Sequence, residues 1–157
     1  MGCINSIIEE YQLKKCNIEN TSKFSFQGQT KLIKVVSVYD ADTMNVVLDI
    51  NGKKYIETLR MYGIDSAELH PKKINQDRED EIKIACKGRE RLIELCLNKL
   101  VYVYCDGWDK YGRLLGTVYL DKKMVESVNE LLIKENLAYE YDGKKKKHFS
   151  EWYKREN

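Results

Sequence analysis

Several familiar sequence signals are missing from this chain. Its five cysteines include no pair with C-x-x-C spacing, which argues against a zinc site and against a thioredoxin-like redox pair. No apolar run is long enough to cross a bilayer, and the first residues lack the charged and apolar regions of a secretory signal. Scattered, unpaired cysteines are typical of a reducing compartment, so we expect an intracellular, cytoplasmic protein.

A strong excess of charge of either sign is also missing. Lysine and arginine number 27 against 25 aspartate and glutamate residues, and this net charge of +2 does not by itself predict a nucleic-acid partner. The densest basic cluster is the run of lysines at 144–147, which is compatible with a solvated tail and with a surface for phosphate or membrane. Apolar residues make up 43% and charged residues 33%, as expected for a soluble globular domain.

The pattern of apolar residues divides the chain into three parts. Residues 1–22 form an N-terminal appendage with a short amphipathic stretch, residues 30–142 form one domain, and residues 143–157 form a basic C-terminal tail or short helix. Within the domain, β-branched and alternating stretches predict five strands, at 32–39, 43–50, 53–64, 100–105 and 114–120.

Turn and capping signals complete this prediction. Asn51-Gly52 is a hairpin signal between the second and third strands, and Asn136 is a candidate left-handed cap after a helix at 127–135. A longer helix is predicted at 77–99 and a third, short one at 148–155. Three strands, a helix, two strands and a second helix match an α+β fold, a five-stranded OB-type Greek-key β-barrel with two to three helices.

Two predictions concern the packing of the longer helix. One face of it carries an apolar stripe of Ile82, Ala85, Cys86, Leu92, Ile93 and Cys96. We therefore expect the two cysteines in this stripe to be buried. Gly88 lies inside the helix, where glycine costs about 1 kcal/mol relative to alanine. We therefore expect close packing against another element at that position.

Carboxylates and arginines are concentrated in three short segments, 40–43, 59–68 and 109–113. The residues of interest in them are Asp42, Arg60, Asp65, Glu68 and Arg113. Carboxylates supply the oxygen ligands that calcium prefers, and guanidiniums grip phosphate in a two-pronged way. Hydrolysis of a phosphodiester needs a Lewis acid, stabilisation of the charge that develops, and a group that accepts a proton from water. These segments supply a residue for each demand, which indicates a nuclease.

Each segment also has a plainer interpretation. Asp65 and Glu68 could cap a helix, Arg60 could be a surface charge on a strand, and 109–113 could be a polar turn. Taken singly these interpretations are the more probable ones, but their joint occurrence in this order favours a site. The two histidines are expected at the surface, because calcium has little use for imidazole.

The order and spacing of these motifs resemble the staphylococcal nuclease (thermonuclease) family over roughly residues 30–142. The matching segments are Asp40-Ala41-Asp42-Thr43, Arg60 with Asp65 and Glu68, His70-Pro71-Lys72-Lys73, Asp109-Lys110-Tyr111-Gly112-Arg113, and 128–132 followed by 137–139. The resemblance implies an OB-type barrel and calcium-dependent hydrolysis of DNA and RNA. It does not transfer a substrate preference, because the loop after Pro71 differs in sequence.

The resemblance also implies roles for individual residues. Asp42 and Asp65 would bind calcium directly, helped by the backbone carbonyl of Ser66. Glu68 would act as the general base or position the attacking water. The remaining implied residues contact the substrate: Arg60 and Arg113 at the phosphate, Lys110 and Tyr111 along the nucleotide site, and Tyr139 or Tyr141 from its far side. Ala67 stands where the family usually has proline, a departure that loosens the turn between Asp65 and Glu68.

The first six residues, Met1-Gly2-Cys3-Ile4-Asn5-Ser6, fit the pattern for N-myristoylation at Gly2, with Cys3 placed for a palmitoyl chain. One myristoyl chain binds a membrane with only about 10⁴ M⁻¹, so a second acyl group or basic residues would be needed for stable anchoring. An ordinary flexible terminus is the alternative. Anchoring would place the protein at the cytosolic face of a membrane.

Two functions from different classes therefore remain open at this point. The first is a monomeric, calcium-dependent nuclease acting on DNA or RNA and in contact with a membrane through its acylated N-terminus. The second is a catalytically inactive OB-fold adaptor for nucleic acid or protein. An inactive adaptor would be expected to lose carboxylates or arginines, and this chain keeps all five.

Overall fold

The computed structural model describes residues 2–73 and 76–153, with side chains described from Ser6 onward. The elements in chain order are α1 (Gly2–Lys14), β1 (Thr30–Val38), β2 (Thr43–Ile50), β3 (Lys53–Met61), β4 (Ile64–Ser66), α2 (Arg78–Cys96), β5 (Leu100–Trp108), β6 (Leu114–Tyr119), α3 (Val128–Lys134), β7 (Ala138–Glu140) and α4 (Phe149–Trp152).

Five strands close into a barrel in the order β1-β2-β3-β6-β5. All pairings are antiparallel except β3 with β6, which run parallel from Leu59 opposite Leu114 to Met61 opposite Gly116. Alternate residues of β5 and β6 are buried, and the barrel is filled by aliphatic side chains such as Val35, Met44 and Leu59. The predicted α+β fold with a five-stranded OB-type barrel is confirmed.

The hairpin between β2 and β3 follows the prediction closely. β2 spans Thr43–Ile50 as expected, and both Asn51 (φ 51°) and Gly52 (φ 85°) adopt the left-handed conformation that a two-residue turn requires. Asn136 also has a positive φ, of 57°, after α3. These features depend on a few adjacent residues, which is why they could be predicted.

The prediction of one continuous strand over 53–64 is wrong. β3 ends at Met61, and Gly63 turns the chain with a φ of 75° before the three-residue strand β4 begins. β4 pairs outside the barrel with β7, Asp65 lying opposite Tyr139. This separate pairing moves Asp65 and Ser66 off the barrel wall, and both residues are buried there.

Helix α2 packs with a face that is rotated from the predicted stripe. Its buried residues are Glu81, Ile84, Ala85, Gly88, Leu92, Leu95 and Cys96. Cys96 is buried as expected, but the expectation for Cys86 is wrong, because this thiol faces outward and is exposed. Gly88 confirms the predicted close packing: a Cβ built there would lie 2.8 Å from the Cβ of Ala41. The helix is thus seated directly against the turn that carries Asp42.

The N-terminal appendage lies apart from this core. Every residue from Ser6 to Ser25 is exposed, and the first buried residue after α1 is Phe26. The side chain of Cys3 falls outside the described residues, so the predicted acylation at Gly2 and Cys3 stays a prediction. Among the described residues, we find no helix with the length and apolar character needed to span a membrane.

Candidate active site

One guanidinium joins two buried carboxylates at the mouth of the barrel. Arg60 Nη1 lies 3.1 Å from Asp42 Oδ1, and Arg60 Nη2 lies 2.7 Å from Asp65 Oδ1. The exposed fractions of Asp42 and Asp65 are 4% and 3%. The two aspartates predicted as metal ligands are therefore brought together, with the predicted phosphate-binding arginine between them.

Strand pairing explains this convergence. Thr43, the first residue of β2, lies opposite Arg60 in β3, and the Met61 backbone N–H donates to the Asp42 carbonyl at 2.8 Å. These contacts fix the turn before β2 beside the end of β3. The pairing of β4 with β7 then holds Asp65 against the same guanidinium from the other side.

Hydroxyl groups complete the surroundings of both carboxylates. Ser66 and Thr43 donate to the two oxygens of Asp42, at 2.8 Å to Oδ2 and 2.9 Å to Oδ1. The Tyr139 hydroxyl donates to Asp65 Oδ2 at 2.7 Å. The side chain of Ser66 thus supports Asp42, a contact that the sequence-based role for its carbonyl did not include.

The electrostatics of this centre are not fully balanced. Burial raises the pKa of Asp42 to about 6, outweighing the opposing influence of Arg60 and of the hydrogen bonds from Ser66 and Thr43. Burial also raises the pKa of Tyr139, and its hydrogen bond to Asp65 acts in the same direction. A second positive charge at the site would relieve the cost of ionised Asp42.

A cleft of about 670 Å³ opens over the two carboxylates. Apart from Tyr139, every residue predicted for metal binding, catalysis or nucleotide contact lines this cleft: Asp42, Arg60, Asp65, Ser66, Glu68, Lys110, Tyr111, Arg113 and Tyr141. Tyr139 is 6% exposed and lies behind Asp65. Its position suits the orientation of that carboxylate and leaves little surface for stacking on a base.

The turn after β5 presents the second arginine. Asp109 accepts from the Arg113 backbone N–H at 2.9 Å and from Arg113 Nε at 2.6 Å, and Gly112 supplies a φ of 80° between them. This clamp holds one edge of the guanidinium and leaves its two terminal nitrogens for a ligand. The Tyr111 ring, 73% exposed, lies 5.6 Å from the Arg113 guanidinium carbon.

Lys146 is the site residue that the sequence analysis missed. Its Nζ lies 2.6 Å from Glu68 Oε1 and 3.2 Å from Asp65 Oδ1. Partial burial lowers the pKa of Lys146, but the contacts with Glu68 and Asp65 outweigh this, and the pKa is raised overall. The lysine run gave no signal for this contact, because Lys146 and Glu68 are 78 residues apart.

The donor set fits a hard divalent cation. The described residues contain no cluster of three or more His, Cys, Asp or Glu side chains arranged as a ready-made metal cage. Two buried carboxylates are nevertheless enough for a cation that keeps part of its water shell, and oxygen is the donor that such cations require. Burial raises the pKa of Asp42, and a further positive charge beside this carboxylate would favour its ionised form.

Fold and site together define an OB-type barrel with a cleft lined by two buried aspartates and two arginines. A model of the staphylococcal nuclease homologue family matches residues 58–157, which is more than half of the 157-residue chain. The chain belongs to the staphylococcal nuclease homologue family. Asp42 precedes the matched range, and its place in the site comes from the barrel geometry described above.

Similar proteins include two bacterial endonucleases. Endonuclease YncB of Bacillus subtilis (strain 168) is 38% identical over 114 residues, which are 71% of this chain and 50% of the relative. The SPbeta prophage-derived endonuclease YokF of the same strain is 37% identical over 99 residues, or 63% of this chain and 30% of the relative. An uncharacterized 38.1 kDa protein of Capnoides sempervirens is 29% identical over 105 residues, 66% of this chain and 26% of the relative. The chain thus spans half or less of each relative's length.

Proposed function

We propose that this chain is a calcium-dependent nuclease that hydrolyses phosphodiester bonds of DNA or RNA. One observation carries the proposal: Arg60 bridges Asp42 and Asp65 at the base of a cleft that Glu68 and Arg113 also line. Family membership and the similarity to two endonucleases support the same activity.

Asp42 and Asp65 would hold the cation, with Ser66 and Thr43 fixing the orientation of Asp42. When bound, the cation supplies a Lewis acid that polarises the phosphate. It also offsets the charge of the two aspartates, which Arg60 alone does not balance.

The arginines stabilise the negative charge that develops on the phosphate oxygens. Arg60 donates hydrogen bonds to Asp65 and to the Met61 carbonyl and forms an ion pair with Asp42, so two of its five N–H groups are used in hydrogen bonds. The others can face a phosphate while the carboxylates stay bound. Arg113 approaches from the opposite wall through the nitrogens that Asp109 does not engage.

Glu68 is suited to accept the proton of the attacking water. Its side chain is 54% exposed, so water reaches it, in contrast to the buried aspartates. It follows Asp65 by three residues and shares Lys146 with it, which keeps it beside the proposed cation. A general base of this kind contributes about 10²–10⁴-fold to the rate.

The deciding experiment measures cleavage of single-stranded DNA and RNA by purified protein with calcium or with chelator. Glu68→Gln should lower the rate by about a hundredfold or more without changing the thermal midpoint. Glu90→Gln, at an exposed position on α2, is the matched control and should cleave like wild type. Binding without cleavage in calcium would instead favour the inactive adaptor.

We also infer that the N-terminus anchors the protein to the cytosolic face of a membrane through acylation of Gly2 and Cys3. Support comes from the acylation pattern and from α1, whose exposed apolar side chains Ile7, Ile8 and Tyr11 recur at helical spacing. Their exposed fractions are 66%, 51% and 60%. Such a surface would lie at the boundary between headgroups and acyl chains.

A further inference from the structure

The basic run after β7 is not a free tail. Asp142 through Lys147, here called the latch segment, runs beside the cleft, and four of its residues line it. The Lys147 backbone N–H donates to the Tyr139 hydroxyl at 3.1 Å, and that hydroxyl donates to Asp65. Lys146 reaches past it to Asp65 and Glu68. The segment therefore makes two separate connections to the proposed metal ligand.

The contacts of Asp65 show how few of its lone pairs stay open for a cation. Its Oδ1 accepts from Arg60 at 2.7 Å and lies 3.2 Å from Lys146 Nζ, and its Oδ2 accepts from Tyr139 at 2.7 Å. A carboxylate offers about four lone-pair positions, so about one stays open. Lys146 also occupies Oε1 of Glu68 at 2.6 Å. A cation that takes full hold of Asp65 competes most directly with this lysine.

Among the donors on Asp65, Lys146 is the one able to leave. Arg60 is 8% and Tyr139 6% exposed, so withdrawing either would leave a buried polar group without a partner. The Lys146 side chain is 54% exposed, and a released ammonium is solvated at once. The ion pair of Lys146 with Glu68 is exposed on both sides and contributes little stability. At buried Asp65, the incoming cation would replace the positive charge that leaves with the lysine.

We propose that Lys146 is a displaceable counter-ion that occupies the acidic centre in the metal-free protein and is expelled when a divalent cation binds. Expulsion frees a lone pair on Asp65 and Oε1 of Glu68, and loosens the latch segment beside the cleft. The inference rests on the proposed cation site. It adds that metal binding and release of the general base from its ion pair are one event.

The test follows the latch segment directly. Tryptic cleavage after Lys144, Lys145 and Lys147 is measured by mass spectrometry with calcium or chelator, and is normalised to cleavage after the exposed Lys15 in the same sample. In wild type, calcium should accelerate cleavage in the latch segment by about fivefold relative to Lys15. In Lys146→Met, cleavage should already be fast in chelator and should not respond to calcium.

Calorimetric titration of the same proteins with calcium supplies a second readout. Lys146→Met should bind calcium about fivefold more tightly than wild type, because no ammonium has to be displaced. Lys145→Met removes the same charge one position away, where the described residues show no ion pair, and should stay within about twofold of wild type.

The outcomes separate the two proposals. If wild type binds calcium but calcium slows or does not change cleavage in the latch segment, Lys146 stays in place and the displacement is refuted. Equal calcium affinities of the Lys146→Met and Lys145→Met variants would refute it as well. If none of the three proteins binds calcium, the proposed calcium dependence itself fails.

Discussion

Two carboxylates share one guanidinium at the base of the cleft, and this ratio governs their chemistry. Asp42 and Asp65 are both almost fully buried and share Arg60, while the second positive charge at the centre, Lys146, contacts Asp65 and not Asp42. Burial disfavours the ionised form of Asp42, so a proton can bind this carboxylate in place of a second positive charge. The centre is therefore sensitive to pH in a range where ordinary aspartates are already ionised.

Calcium affinity should accordingly fall as the pH drops through about 6, the value to which burial raises the pKa of Asp42. The protonated carboxyl binds a cation poorly, so affinity is lost well above the ordinary aspartate value of 3.8. In the absence of metal, the raised pKa of Asp42 also makes the free energy of unfolding depend on pH. Asp42 stabilises the fold most below pH 3.8, and this contribution is lost as pH rises through about 6.

Calorimetric titrations with calcium between about pH 5 and pH 7.5 measure this dependence. Asp106→Asn serves as the control, since Asp106 is a partly buried carboxyl on β5 that does not line the cleft. That variant should keep the wild-type profile. An affinity that is flat across pH 6 in the wild-type protein would show that Asp42 does not ligate the cation.

At this scale the sequence identified most of the residues that the structure brings together in the cleft. Spacing within 59–68 and 109–113 singled out those residues, which lie on short segments. It failed for Lys146, one of several lysines in a row with no pattern to single it out. For the far side of the nucleotide site it left Tyr139 and Tyr141 open; Tyr141 lines the cleft, and the pairing of β4 with β7 places the Tyr139 ring behind Asp65.

Helix α2 illustrates how an element positions residues that it does not itself carry. Gly88 brings its backbone against Ala41, the neighbour of Asp42, and no larger side chain fits the gap. The helix therefore braces the turn before β2 from outside the barrel. The sequence predicted the helix and its close packing at Gly88. The predicted apolar face is rotated from the observed buried face, so Cys86 was wrongly expected to be buried.

Gly88→Ala should destabilise the protein by about 1–3 kcal/mol, although alanine normally favours a helix over glycine. The reason is the added Cβ, which would lie 2.8 Å from that of Ala41. Urea denaturation measures the change, and Lys87→Ala at the exposed neighbouring position should change stability by less than about 0.5 kcal/mol. A more stable Gly88→Ala variant would mean that the helix does not press on this turn.

The short strands mark the limit of prediction at the scale of elements. β2 and its turn were predicted because eight residues and an Asn-Gly pair carry a clear pattern. β4 and β7 have three residues each, too few for alternation to be read. Their pairing depends on which distant segment is available, and it is this pairing that sets Asp65 in place.

The whole molecule consists of a barrel that holds the site and an exposed N-terminal helix. Residues from Ser6 to Ser25 are exposed, so α1 and its linker bury little surface against the barrel. A helix that exposes apolar side chains to water is expected to bind another surface. With the proposed acyl anchor, that surface would be a membrane.

Gly2→Ala should release the protein from membranes of a host that supplies the acyltransferase, because alanine cannot accept the myristoyl group. Cell fractionation measures the change. Asn5→Ala, at a position that the acylation pattern leaves free, should stay with the membrane fraction. The anchor proposal fails if Gly2→Ala and wild type distribute alike.

The parallel pairing of β3 with β6 has a consequence for when the site comes into being. These two strands are separated in the chain by β4, α2 and β5, so their pairing is a long-range contact that is slow to form. Until that pairing forms, the barrel stays open between the strand of Arg60 and the strand that follows Arg113. A chain that stops before β6 therefore cannot close the barrel, and the proposed activity depends on the closed form.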